Sequence, residues 1–315
     1  MEPTTLLPFF IGLIAATLRV STPLIFASVG EVITERSGIL NLGIEGIMFL
    51  GAFVGFAVAA QASMAGMVGY LWLGLLGAMI AGIVMGLLMS FFSVTLGVNQ
   101  HVAGLGITLL STGLALYGFR LVFGESSVLP SIEPFDQFSL FGEAAVIGPI
   151  FKQYLLTYIA FLVVAPLAWW LLFRTNFGLE IRAVGENPEA ADAAGVNVFR
   201  TRYLAIIIGA VLMAVGGAFL TLAQLGAFSP GIIAGRGWVC IALVIFARWN
   251  PVRAVVGALL FGGVFALQLR LQTVGFELPF EAFLALPYLV TIAALAIAGR
   301  NAAYPGAYLK AYRRE

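Results

Sequence analysis

Charge is what this chain has least of. Its 315 residues carry 16 lysines and arginines, 15 acids and one histidine, so charged residues make up 10% of the sequence. A soluble domain carries about 25%, and so sparse a set cannot cover a water-facing surface. The near-neutral balance, a net charge of +1, gives no footprint for nucleic acid. The one cysteine, Cys240, excludes an intrachain disulfide. With one histidine and one cysteine there is no convincing zinc cluster, and no Ser-His-acid arrangement stands out. The only lysines, Lys152 and Lys310, follow Phe151 and Leu309, so no phosphate-binding Gly-Lys-Ser/Thr loop exists. The residues indicate neither an enzyme nor a bound cofactor.

What is present is apolar. Hydrophobic residues reach 61% and mean hydropathy is +1.04. The surplus must face lipid. Nine hydrophobic segments can be drawn, at 6–30, 38–60, 68–92, 100–122, 152–173, 203–222, 234–247, 252–271 and 281–299. Their length suits helices crossing a core of about 30 Å, not the roughly ten-residue alternating strands of a barrel. The expected fold is all-α and polytopic, a single membrane domain over 1–315. Its start, with an acid and no early base, argues against a cleaved signal peptide.

Basic residues orient the spans. Arg174, Arg182, Arg200 and Arg202 mark the loop at 174–202 as cytoplasmic. Alternation then places Arg36, Arg248, Arg253, Arg300 and the basic carboxyl terminus inside and the amino terminus outside. The loop at 123–150 falls outside; its Glu125, Glu133, Asp136 and Glu143 either dock a partner or cap the bundle. Inside, Asn187 can cap a short helix, with Pro188 and Glu189 suited to its first turn. Ala190, Ala191, Asp192, Ala193 and Ala194 would continue it, and Gly195 would end it in a left-handed turn. That loop is a candidate protein-docking element.

Small residues recur at Gly74, Ala78, Gly82 and Gly86, and again at Ala254, Ala258, Gly262 and Ala266. With the opposite sense of the two segments, this suggests an inverted repeat, as transporters use. Two stretches inside it, "NLGIEG" and "FSPGIIAGRG", combine a charge with backbone-loosening residues. Such backbone and such charges must face protein or water. Asn41, Gly43, Glu45, Gly46 and Arg236 are therefore candidates for a broken-helix centre. Glu45 and Arg236 either pair across it or each hold a helix end.

Other polar residues are assigned more locally. Glu31 and Glu35 are expected to fix the first inner loop, and Arg19 to turn toward protein on a kinked first helix. Asn99, Gln100 and His101 lie near the inner surface, as interfacial residues or a pore mouth. Gln224 and Gln268 offer amides for cargo or for helix-to-helix bonding. Trp72, Trp169, Trp170 and Trp249 read as interfacial anchors.

Two motifs carry a resemblance. "GEVITERSGILNLGIEGIMFLGAFVGF" (30–56) and "RAVGENPEAADAAGV" (182–196) resemble permease subunits of ATP-binding-cassette importers of the branched-chain amino acid, simple sugar and nucleoside group. The first motif is most similar to the nucleoside-type members. The resemblance covers essentially the whole chain. It implies a type II importer architecture in a bacterial plasma or inner membrane, with the carboxyl terminus cytoplasmic. It further implies a heterodimer with a homologous second permease, a cytoplasmic ATPase and an extracytoplasmic substrate-binding lipoprotein. Asn187 to Gly195 would be the coupling helix, and Asn41 and Glu45 would border the translocation path. The rivals are an ion-coupled secondary transporter, which needs no ATPase, and a membrane scaffold, which moves nothing.

Overall fold

The computed structural model describes residues 3–124, 130–142, 147–273, 280–298 and 303–313. Glu125, Glu143, Arg300 and Arg314 lie outside them. Long apolar helices dominate because a chain in hydrocarbon must satisfy its own backbone. In order they are α1 (Pro3–Arg36), α2 (Ile44–Met64), α3 (Tyr70–Ser90) and α4 (Gln100–Phe123). A two-stranded antiparallel ribbon, β1 (Gln137–Ser139) with β2 (Lys152–Tyr154), brackets a single turn, α5 (Ile147–Ile150). There follow α6 (Leu155–Ile159), α7 (Ala165–Arg174), α8 (Asn176–Glu186), α9 (Pro188–Ala193) and α10 (Val198–Phe219). The last are α11 (Arg236–Ala247), α12 (Pro251–Thr273) and α13 (Phe280–Ala298). Wider π turns extend α3 through Phe91–Thr95, join α6 to α7 at Ala160–Val164 and extend α10 through Leu220–Leu225.

Among the described residues, seven helices are long and apolar enough to cross a membrane. All nine hydrophobic segments are mainly helical where described, but the seventh and the ninth are not among these seven helices, so nine crossings, within an expected range of eight to ten, are not confirmed. The seventh, α11, has 12 residues; at 1.5 Å each it is about 18 Å long, well short of the hydrocarbon core. The first helix also runs past its expected end at residue 30, so Glu31 and Glu35 belong to α1 and not to a loop. The segment 174–202, expected as an inner loop, is mostly helical, as α8 and α9.

The centre is built by α1, α2 and α10, whose side chains form the main core. Close backbone approach makes this possible. A Cβ on Gly46 would lie 2.5 Å from the Thr108 Cα, which lets α4 cross the start of α2. The small-residue face of α3 packs on α2 and α10, while that of α12 packs on α1, where the Ser21 hydroxyl donates to the Ala258 carbonyl at 2.9 Å. Outward faces are apolar: Ile80, Leu109, Leu121 and Leu167 are all more than half exposed, which suits lipid or a partner helix.

Candidate functional site

Two places gather the sequence-selected residues. The first is the break between α1 and α2. Gly38, at φ +87, turns the chain out of α1. The buried Asn41 then closes the turn, its Oδ1 accepting the Gly43 amide at 3.0 Å, while its own amide donates to Glu31 Oε1 at 2.9 Å. Gln100, buried at the start of α4, accepts the Leu40 amide at 2.8 Å. Asn99 caps α4 by accepting the His101 and Val102 amides, leaving His101 exposed.

Glu45, in the first turn of α2, reaches across to α11. Its Oε1 accepts the Gly235 amide at 2.9 Å and its Oε2 the Gly237 amide at 2.7 Å. A carboxylate on the first amides of a helix satisfies orphan donors and meets the positive end of the dipole. Such charge-assisted bonds are roughly twice as strong as neutral ones. The approach needs Gly237, because a Cβ there would sit 2.6 Å from the Glu45 Cα. Immediately upstream the chain unwinds: Gly231, Ala234 and Gly235 all have positive φ. Arg236 holds this unwound stretch, its Nη1 donating to the Ile232 and Ile233 carbonyls at 2.9 Å each. Thus Glu45 caps the start of α11, while Arg236 binds the carbonyls of the unwound stretch just before it. No hydrogen bond among the described residues brings His101, Gln224 or Gln268 to this centre. Gln224 lies in the π turn after α10 and Gln268 is buried in α12.

The second place is α8 and α9. Thr175 caps α8, its Oγ1 accepting the Gly178 amide at 3.0 Å. Asn187 caps α9, its Oδ1 accepting the Ala190 amide at 3.0 Å, with Pro188 at the first helical position. Gly195, at φ +87, closes the helix by donating to the Asp192 carbonyl, and Val196 donates to that of Ala191. Pro188 and Ala191 face inward; Glu189, Ala190, Ala193 and Ala194 face out. Beside this outward face is a cavity of about 590 Å³ lined by Phe177, Glu180, Gly195, Asn197, Arg200 and Leu204.

A third set of residues joins the two places and was not anticipated. The segment 303–313 lies across the ends of α1 and α8: the Ala307 amide donates to Gly185 O at 2.8 Å, Leu309 to Gly38 O at 3.2 Å, and Gly306 to Glu186 Oε2 at 3.0 Å. The buried Arg202 ties in the start of α10, bonding Ser37 O through Nε and Lys310 O through Nη1. Trp249 is 1% exposed and donates Nε1 to Glu35 Oε2 at 2.6 Å, which corrects its reading as an interfacial anchor. It stacks edge-on against Tyr304 and Tyr308. Among the described residues no three metal-ligating side chains gather. The arrangement positions helices.

The chain matches the family described as branched-chain amino acid transport system / permease component over residues 13–295. It is 41% identical to the putative glucose ABC transporter permease protein TsgC13 of Haloferax volcanii, covering 98% of this chain and 99% of that protein. It is 38% identical to the nucleoside ABC transporter permease protein NupC of Lactococcus lactis, over 90% of this chain and 91% of the other. Identity to the guanosine ABC transporter permease protein NupQ of Bacillus subtilis is 33%, over 90% of each chain. No solved structure matches.

Proposed function

The chain belongs to the family of permease components of branched-chain amino acid transport systems, and from that premise we propose that its cargo is a nucleoside or a similar small polar solute. As a translocation-path subunit of an ATP-driven importer it performs no chemistry on what it carries. The relatives' names divide between sugar and nucleoside; the "ERSGILNLGIEG" stretch inclines the reading to nucleosides. An importer of this class works with an ATPase and a second permease. In this proposal the pair is a heterodimer, the ATPase is cytoplasmic, and an extracytoplasmic lipoprotein delivers the solute.

The observation that carries the mechanism is the continuous connection from α9 to the outer loop. The six-residue α9 is held by caps at both ends and presents an alanine-lined face beside a cavity, as a coupling helix seated in an ATPase groove would. From it α10 and its π turn run 28 residues, Val198–Leu225. At the far end Leu222 and Gly226 offer carbonyls to the Phe135 and Ile132 amides of the outer loop, at 2.9 and 2.8 Å. A push on α9 is thereby transmitted along one helix to the opposite face. Beside that helix, Glu45 ties α2 to the broken α11, so the two halves move about a shared centre. The exchanged packing of α3 and α12, on α10 and α1 respectively, supports the inverted repeat.

The test is reconstitution. The chain with its copurifying partners, in proteoliposomes, is expected to concentrate labelled guanosine only when ATP reaches the cytoplasmic face. Accumulation driven by a proton or sodium gradient without ATP would establish the secondary transporter instead.

A further inference from the structure

At the end of the molecule that carries α8 and α9, three arginines converge on two touching aromatic rings. Trp169 and Phe173, on the last turns of α7, have ring centroids 6.1 Å apart. The Arg174 guanidinium carbon lies 5.6 Å from the Trp169 ring. On Phe173 two further guanidiniums meet, Arg182 at 5.3 Å and Arg36 at 6.0 Å. These cations come from three different helices, α7, α8 and α1, so no local sequence effect collects them. Arg36 meets the repulsion of Arg182 and a larger attraction from Glu186, but one carboxylate does not balance three guanidiniums. Glu186 is itself engaged by the Gly306 amide, and Glu180 lines the separate cavity beside α9.

Ring contact steadies a cation but neutralises none of its charge. It occupies the guanidinium's face and leaves its in-plane N–H donors for an anion. Arg36 spends Nε on the Trp249 carbonyl and Arg182 spends Nε on that of Gly178, so their terminal nitrogens stay available. The cluster lies at the end of the apolar helical run Leu155–Arg174, and Trp170, 52% exposed on the same turn, is an aromatic of the kind enriched at headgroup level. Guanidinium forks fit phosphate oxygens in paired bonds, and basic pockets between helices on the cytoplasmic side bind anionic headgroups.

We propose that Arg36, Arg174 and Arg182, assembled on Trp169 and Phe173, bind the phosphodiester of an anionic phospholipid of the inner leaflet. Only the side of the membrane rests on the importer reading. The bound lipid would brace α7 and α8 beside the coupling element and settle the charge left by the cluster.

The purified full chain with its partners, in detergent, is given equal amounts of phosphatidylglycerol and phosphatidylcholine, and retained lipid is counted by native mass spectrometry. Phosphatidylglycerol is expected to be retained about tenfold more. Arg174→Gln combined with Arg182→Gln should remove that preference, while Arg313→Gln, an exposed base in the carboxyl-terminal segment, should not. If the double variant misfolds, Arg174→Gln alone, at an exposed position, should lower retention several-fold. Equal retention of the two lipids, or preference unchanged in the variants, overturns the proposal. So does full displacement of the lipid by millimolar inorganic phosphate, which would mark a site for the free anion. Uptake is not the readout, so the importer reading stands or falls separately.

Discussion

At the scale of single residues, Glu45 shows how a carboxylate persists at the mouth of an apolar helix. Its desolvation is offset by two backbone donors and a helix dipole, all from α11. Glu45→Gln keeps the size but leaves one oxygen acceptor, and turns an amide toward a second N–H. The expected cost is about 1.5–3 kcal/mol, that of a hydrogen bond to a charged group. It would be read as a lower unfolding temperature in detergent and reduced uptake. Gly237→Ala attacks the same contact sterically, because the added methyl meets the Glu45 backbone, and should damage transport with the charge intact. If both variants behave as wild type, the cap is idle. The sequence marked Glu45 and Arg236 as belonging to one centre, yet left their arrangement open. The reason is physical: Glu45 is held by main-chain amides 190 and 192 residues away, and an amide leaves no trace in residue identity.

At the scale of elements, α9 is too short to stand by itself, since isolated helices under about 12 residues are marginal in water. Caps and the packing of Val184, Ala191, Val198 and Tyr312 must hold it. Asn187→Ala should therefore cost about 0.5–2 kcal/mol, seen as faster hydrogen exchange at Ala190 and weaker stimulation of ATP hydrolysis by cargo. Gly195→Ala makes a cleaner companion. Nothing lies within 4 Å of the new methyl, but φ is +87, so left-handed strain of about 1–2 kcal/mol acts alone. Unaltered exchange and coupling in both would separate α9 from energy transfer. The cap residues of this helix were legible because Asn-Pro-Glu and a closing glycine are side-chain signals. Its neighbour α8 is harder to see in the sequence, because charged residues interrupt the buried face that Gly178, Ile181 and Val184 form at helical spacing. The half-length of α11 was visible as a short segment, but its unwound entry is a matter of backbone angles at Ala234 and Gly235.

At the scale of the whole molecule, the spans were the most legible feature, since lipid demands long apolar runs whatever the topology. The joint between those spans was the least legible. The sequence places Arg202 in a charged loop, Trp249 at an interface and Glu31 and Glu35 at a loop they fix locally, and the structure buries all four. What covers them is the carboxyl-terminal segment, whose one sequence signal was tyrosine at every fourth position, Tyr304, Tyr308 and Tyr312. These close on Trp249 and Asp192. Burial, with the Glu35 carboxyl beside it, pushes the Tyr308 hydroxyl far above the ordinary tyrosine range, so it stays neutral at any working pH. Tyr308→Phe takes a hydroxyl from beside the buried Glu35 and should destabilise by about 1–3 kcal/mol, the cost of leaving a buried polar group less well compensated, read as a lower unfolding temperature in detergent. Removal of residues 303–315 reaches further, because Gly38, Gly185, Glu186 and Arg202 lose partners together while the spans remain intact. The shortened chain should still insert and assemble with its partners; their ATPase should then hydrolyse ATP at a rate indifferent to cargo, and the complex should fail to accumulate solute. Coupled uptake by that chain would mean that motion passes from α9 to α10 without the joint, and that the tail merely covers it.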